Sequence, residues 1–229
     1  MLNDVRFDMT PRSGRLCDYG TEAFRLVQVE TQAQADLWTV LISTWHYAGG
    51  AQKIIGPRIK YLIYLGRQPI GAMSYTWGAL RLKARDEFIG WDDALRQELL
   101  PHCLTQHRFL LCPWIGIKCL ASHIINRSLK VLRADWTAKY GCEPFICTTY
   151  VDTTRYAGTA YRAAGWTDTG TTGGFGWNEH GRRMTYHGDK KHVFLTVMNR
   201  RFLRMVRSRM SPAGASRQEG TGDGNDNRG

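Results

Sequence analysis

Phenol, carboxylate and imidazole side chains move protons when a fold gathers them at the end of a strand, and three such residues stand out. Asp152 closes the apolar run PFICTTYVD (144–152), where a central strand would end. Tyr161 follows in GTAYRAAGW (158–166), on a short helix after that strand and four residues before the Gly165–Trp166 pair. A phenol so placed is a candidate general acid toward a ligand at the strand end. A ring that merely packs against Trp166 is the alternative, and it stays open. His46, between Trp45 and Tyr47 at a helix end, is the best placed of the histidines. The other carboxylates, Asp86, Glu87, Asp92 and Asp135, lack the spacing of a metal motif and read as loop and cap residues, so no metal site is expected.

Cations point elsewhere. The net charge of the 229 residues is +11, which favours a polyanionic partner such as nucleic acid or a phosphate-bearing cofactor. The run MNRRFLRMVRSRM (198–210) interleaves Arg200, Arg201, Arg204, Arg207 and Arg209 with apolar residues, as a helix with one apolar ridge and cations around it would. GRRMTYHGDKKH (181–192) adds Arg182, Arg183, Lys190 and Lys191 beside Tyr186. Both stretches are candidate phosphate-backbone contacts. The six cysteines form no C-x-x-C pair, and several lie in apolar runs, where cysteine behaves as a small hydrophobe. With no basic-then-apolar leader at the start and no apolar run near the roughly 18–20 residues of a membrane span, a reduced, cytoplasmic protein is expected.

The elements that must position these residues read from periodicity. Residues 1–22 lack any period and are expected as a flexible arm, with a strand at FRLVQV (24–29) after it. Residues 30–47 have helical spacing behind a Thr31 cap, and 58–66 with 69–78 form a hairpin. A helix over 92–103 leads, after a loop that includes Asp86, to a strand at RFLLCPWIGI (108–117). A helix from about 120 to 140 precedes the strand at 144–151, a short helix near 156–164, a Gly/Thr-rich stretch at 169–176 and a strand at 192–198. Residues 199–210 read as a basic helix, and 211–229, with no large apolar residue, as a disordered tail. The alternation predicts one α/β domain over 23–198, with ligands at the carboxyl ends of its central strands.

The spacing of Tyr161, Gly165 and Trp166, and the element order around it, resemble GNAT-type acyltransferases. The resemblance implies a mixed central sheet flanked by helices, acyl-CoA as a possible cofactor, and Tyr161 as the acid facing its thiol. It puts the pyrophosphate turn at WIGIKCLAS (114–122), with Gly116, Lys118, Leu120, Ala121 and Ser122 as cofactor-binding candidates, although the usual Gly-rich pattern is missing there.

Over roughly residues 30–198 the chain also resembles the Druantia anti-phage protein DruA family. The matching runs include WHY (45–47), DEFIGW (86–91), R-F-L-L-x-P-W-I (108–115), LASHI (120–124), D-W-x-x-x-Y-G-x-x-P (135–144) and G-T-x-Y-R-A-A-x-W (158–166). Thr148 and Gly174 stand where that family usually carries Glu and Arg. The resemblance implies a component of a phage-defence system or mobile element that binds or acts on nucleic acid, with a helicase-like or transposase partner. An acyl-CoA-dependent N-acyltransferase and a non-catalytic scaffold are the alternatives.

Overall fold

A computed structural model describes residues 7–49, 56–177, 184–186 and 188–211. In chain order its elements are β1 (Arg12–Arg15), α1 (Leu16–Tyr19), β2 (Phe24–Gln28), α2 (Gln32–Trp45), β3 (Arg58–Leu65), β4 (Gln68–Trp77), α3 (Lys83–Ile89), α4 (Asp93–Leu99), β5 (Cys103–Leu111) and β6 (Ile115–Lys118). There follow α5 (Leu120–Tyr140), β7 (Ile146–Val151), α6 (Thr159–Ala163), β8 (Thr167–Thr171), β9 (Phe175–Trp177), β10 (Met184–Tyr186), β11 (His192–Val197) and α7 (Phe202–Met210). Seven strands form one mixed sheet in the order β2-β3-β4-β5-β7-β11-β8. Within it β5 runs parallel to β7, and the other neighbouring pairs are antiparallel.

Alternation along the strands sends side chains to two helical layers. Tyr61, Ile63, Met73, Tyr75, Leu104, Cys147 and Phe194 meet the apolar stripe of α5, where Leu120, Ile124, Leu132 and Trp136 are fully buried. On the opposite face Leu62, Ala72 and Leu110 meet Trp38, Leu41 and Ile42 of α2. Further along that face Cys103, Ile146 and Leu195 pack with α4 and with Phe202 and Val206 of α7. The expected layered α/β domain with a mixed sheet is thus the observed one.

Several boundaries differ, for physical reasons. The arm expected to be flexible over 1–22 holds β1, which pairs in parallel with β6, and the one-turn α1, whose Asp18 accepts from the Arg15 backbone N–H. The apolar strand starts at Cys103, not at residue 108, and stops at Leu111, because the turn Cys112–Ile115 separates β6 from it. The loop expected around Asp86 is α3. Asp86 accepts from the Leu82 backbone, from Arg85 and from the Trp91 indole, so it caps a helix and neutralises a buried guanidinium. The Gly/Thr-rich stretch supplies β8 at the sheet edge. The tail expected from 211 onward lies, after its first residue, outside the described residues, as do Arg182 and Arg183.

At Gly71, β4 leaves no room beside β5: a Cβ there would overlap the Leu110 carbonyl oxygen. Gly71→Ala should lower unfolding stability in urea by about 1–3 kcal/mol, the range for overpacking a tight contact.

Candidate active site in the notch between two parallel strands

The site begins with one extra residue. Ser74 faces Arg108 and Tyr75 faces Gln106 across β4 and β5, so His107 is a bulge. Pairing of β5 with β7 runs from Cys103–Ile146 to Gln106–Thr149 and ends there. Beyond it, β5 stays bonded to β4 and β7 to β11, and the two strands part. The bulge also reverses the alternation of β5. Leu104 and Gln106 face α5 before it, whereas Phe109 and Leu111 do so after it, with Leu110 on the α2 side. Arg108 therefore projects toward α2.

The gap opens into a cavity of about 670 Å³ lined by both strands, the end of α2, the start of α6 and Ala121 of α5. It joins Tyr161, Asp152, His46 and Lys191, residues picked from the sequence for different reasons. Gly116, Lys118, Leu120 and Ser122 are not among its lining residues.

Tyr161 is fixed on three sides. Its ring stacks on Phe194 at 5.7 Å and meets Trp166 edge-on at 5.3 Å, so packing and placement coexist. Its hydroxyl donates to Gln106 Oε1 at 2.6 Å, and Gln106 Nε2 donates to the Tyr75 hydroxyl at 3.0 Å. Tyr75 lies 2.6 Å from Ser128 Oγ in α5. Burial pushes the Tyr161 phenol pKa well up, so it keeps its proton at neutral pH. Gly158, at φ 71, starts α6 against the Phe194 ring, where a Cβ would stand only 2.6 Å away.

Asp152 is a turn former first. It accepts from the Thr154 backbone and hydroxyl and sits 3.5 Å from Arg155, and the Thr154 hydrogen bond is the first cause of its lowered pKa. Its turn carries Arg155 to a position 5.5 Å from the centre of the Tyr47 ring, and Tyr156 lies 5.5 Å from the same ring. His46 stacks on Tyr47, and its Nδ1 accepts from the Ala48 backbone at 3.2 Å, so the neutral ring carries its proton on Nε2. The other carboxylates are occupied too: Asp135 accepts from Tyr61, Asp92 caps α4 and Glu87 pairs with Lys83. Among the described residues no group of three or more histidines, cysteines or acids could hold a metal ion.

Sequence reading missed Arg108, Gln106, Tyr47 and Arg155. The signal was present in Gln106-His107-Arg108, three polar residues opening an apolar run inside a central strand. Arg108 is 8% exposed, and its guanidinium bonds only to His107, among the described residues.

The candidate phosphate contacts divide. Lys191 enters the cavity at the start of β11, opposite the end of β7. Helix α7 follows the other end of β11 and packs near Cys103 and Ile146, where β5 and β7 begin. The six residues of β11 span about 20 Å between the two groups. On α7 and the turn before it, Arg200, Arg201, Arg204 and Arg207 are exposed, while Arg209 is held by Glu98 through two bonds of 2.6 and 2.8 Å.

A mixed sheet whose two parallel strands part beside the half-buried Tyr161 is a GNAT-type fold. Aminoglycoside acetyltransferase AAC(6')-Ib, solved with paromomycin and acetyl-CoA, is 16% identical with a TM-score of 0.50, covering 81% of this chain and 98% of that one. An N-acetyltransferase from Staphylococcus aureus is 12% identical (TM-score 0.44, 76% and 97% covered), and the N-acyl amino acid synthase FeeM from uncultured soil microbes 14% (0.43, 82% and 96%). At these identities the likeness concerns the fold alone. The chain belongs to the family described as Druantia protein DruA, whose profile matches residues 20–200. No curated protein matches it in sequence.

The fold family implies acyl-CoA, and the chain's own groups fit it at two points. The first turn of α5 has no side-chain cap, which leaves its N–H groups open to a phosphate, and the notch exposes Tyr161. Cys119, at φ 66, takes the left-handed position before the helix that glycine would normally fill, and β1 pairs with the residues ahead of it.

Burial first, and then the charge of Arg108, push His46 down to about 4 and His107 to about 3. Both pKa values lie below the unfolded value of about 6.5, so the unfolded chain binds more protons in acid. Stability is therefore full above about pH 6.5 and should fall as pH drops toward 4. Thermal melts should show that fall between pH 7 and 5, and His107→Gln, which still offers Arg108 an acceptor, should flatten it.

Proposed function

We propose that the chain is a group-transfer component of an anti-phage defence system, with its chemistry in the β5–β7 notch and Tyr161 as proton donor. The observation that carries this reading is the Tyr161 hydroxyl, half-buried at the notch and held by Gln106 at 2.6 Å. Acyl-CoA, when bound, would supply an activated acyl thioester. The first-turn N–H groups of α5 would hold its phosphates, with Lys118 nearby. Tyr161 then keeps a proton for the sulfur that leaves. Gln106 sets where that proton points. With its amide as described, the phenol donates into the core; with the amide turned over, the phenol accepts from Nε2 and its proton faces the notch. Family membership supports the defence setting, since the match spans most of the chain.

Calorimetric titration with acetyl-CoA should give a saturable heat that Tyr161→Phe leaves in place. Thiol release from acetyl-CoA should fall about 100-fold or more in that variant, the usual contribution of a positioned acid. No heat from acetyl-CoA, or an unchanged rate in Tyr161→Phe, would remove this reading.

A second reading, nucleic-acid binding, rests on the four exposed arginines of α7 and the turn before it, whose Phe202 and Val206 anchor the helix while the cations face outward. Arg204→Ala with Arg207→Ala should weaken DNA binding equally for all sequences. It should also lower the slope of log K against log salt by about one for each phosphate that the variant no longer neutralises. An unaltered slope would assign α7 a purely structural role.

A further inference from the structure

We propose that the α2 side of the notch is a subsite for a nucleoside 5′-phosphate, with Arg108 and Lys191 holding the phosphate and Tyr156 stacking on the base beside Tyr47. The proposal rests on the group-transfer reading only in naming that nucleoside phosphate as the acceptor.

The phosphate half follows from charge. Guanidinium groups are seldom buried without a partner, since removal from water is costly unless an anion compensates. Arg108 is nearly buried, yet it has no carboxylate partner among the described residues and bonds through Nη1 to His107 alone. Lys191 and Arg155 line the same cavity. The carboxylate that lines it, Asp152, already serves Thr154 and Arg155. Burial is the first cause of the low pKa values of His46 and His107, and the charges of Arg108 and Lys191 add to it. A phosphate is the ligand whose geometry suits an arginine fork beside a lysine.

The nucleoside half follows from shape and surface. Tyr47 and Tyr156 remain 38% and 54% exposed at the cavity wall, although large aromatic side chains are usually covered. Exposed rings beside cations are how proteins hold bases next to phosphates. A cavity of about 670 Å³ is several times what an inorganic anion needs. The subsite is also separate from the phosphate-accepting end of α5. The His107 bulge turns Arg108 to the α2 layer, and α5 lies on the other face of the sheet.

The test uses the full chain and AMP, adenosine and inorganic phosphate as probes, read by calorimetry and by thermal shift. AMP should bind at least tenfold more tightly than either part alone. Lys191→Gln should weaken AMP tenfold or more and leave adenosine unchanged, whereas Tyr156→Ala should weaken both. Arg108→Gln, used only if its melting temperature stays near the parent's, should repeat the Lys191 result. The proposal is overturned if AMP binds no better than phosphate, or if Lys191→Gln and Tyr156→Ala both bind it as the parent does. Short DNA strands with a 5′-phosphate or a 5′-hydroxyl then separate the sources. Competition by the phosphorylated strand alone assigns the subsite to strand ends, and competition by neither assigns it to free nucleotides. AMP binding without acetyl-CoA binding keeps the subsite and removes the acyl-transfer reading, and the converse result does the opposite.

Discussion

The extra residue His107 in β5 is the constraint on which the site depends. A bulge adds twist and shifts alternation, and here both consequences are used. Twist carries the second half of β5 away from β7, which opens the notch without breaking the bonds that tie each strand to its other neighbour. The shifted alternation places Gln106 toward α5 and Arg108 toward α2. One wall thus offers an amide to Tyr161 on one side of the sheet and a guanidinium on the other. Below the bulge the strands are stitched by neutral groups: Thr105 and Thr148 share a hydrogen bond of 3.0 Å, and Thr149 donates to the Gln106 carbonyl.

That stitching includes Thr148. The threonine is 1% exposed and donates to the Leu104 carbonyl, so this dry position holds no ionisable group and leaves no bond unmet. At Gly174 φ is 74 and a Cβ would come within 3.0 Å of the Tyr186 ring. A side chain there would have to strain the backbone as well as displace the ring. Threonine at 148 and glycine at 174 therefore agree with the local geometry of this chain.

Much of this arrangement was legible in the residues. Helix α5 and the β3–β4 hairpin declare themselves by period and by cap or turn chemistry, because their burial is one-sided and regular. Tyr161, Gly165 and Trp166 mark α6 because spacing within one short helix is a local property. What was not legible is non-local. A bulge is a relation between two strands, and nothing in Gln106-His107-Arg108 states which residue the partner strand will skip. The pairing of β1 with β6 joins segments about a hundred residues apart through backbone groups alone, so the side chains of Arg12–Arg15 carry no trace of it. The convergence of His46, Asp152 and Lys191 likewise belongs to the topology, since each ends or begins a different element.

The β1–β6 pairing also gives the molecule a mechanical property. Arg12 donates its backbone N–H to the Trp114 carbonyl, and the ladder continues to Lys118, next to the left-handed Cys119 that opens α5. Tension applied upstream of Arg12 is therefore delivered to the entrance of that helix rather than lost in slack chain. Anything attached to the amino-terminal segment, whether a neighbouring subunit or an engineered fusion, holds a lever on the start of that helix, whose Ala121 lines the notch.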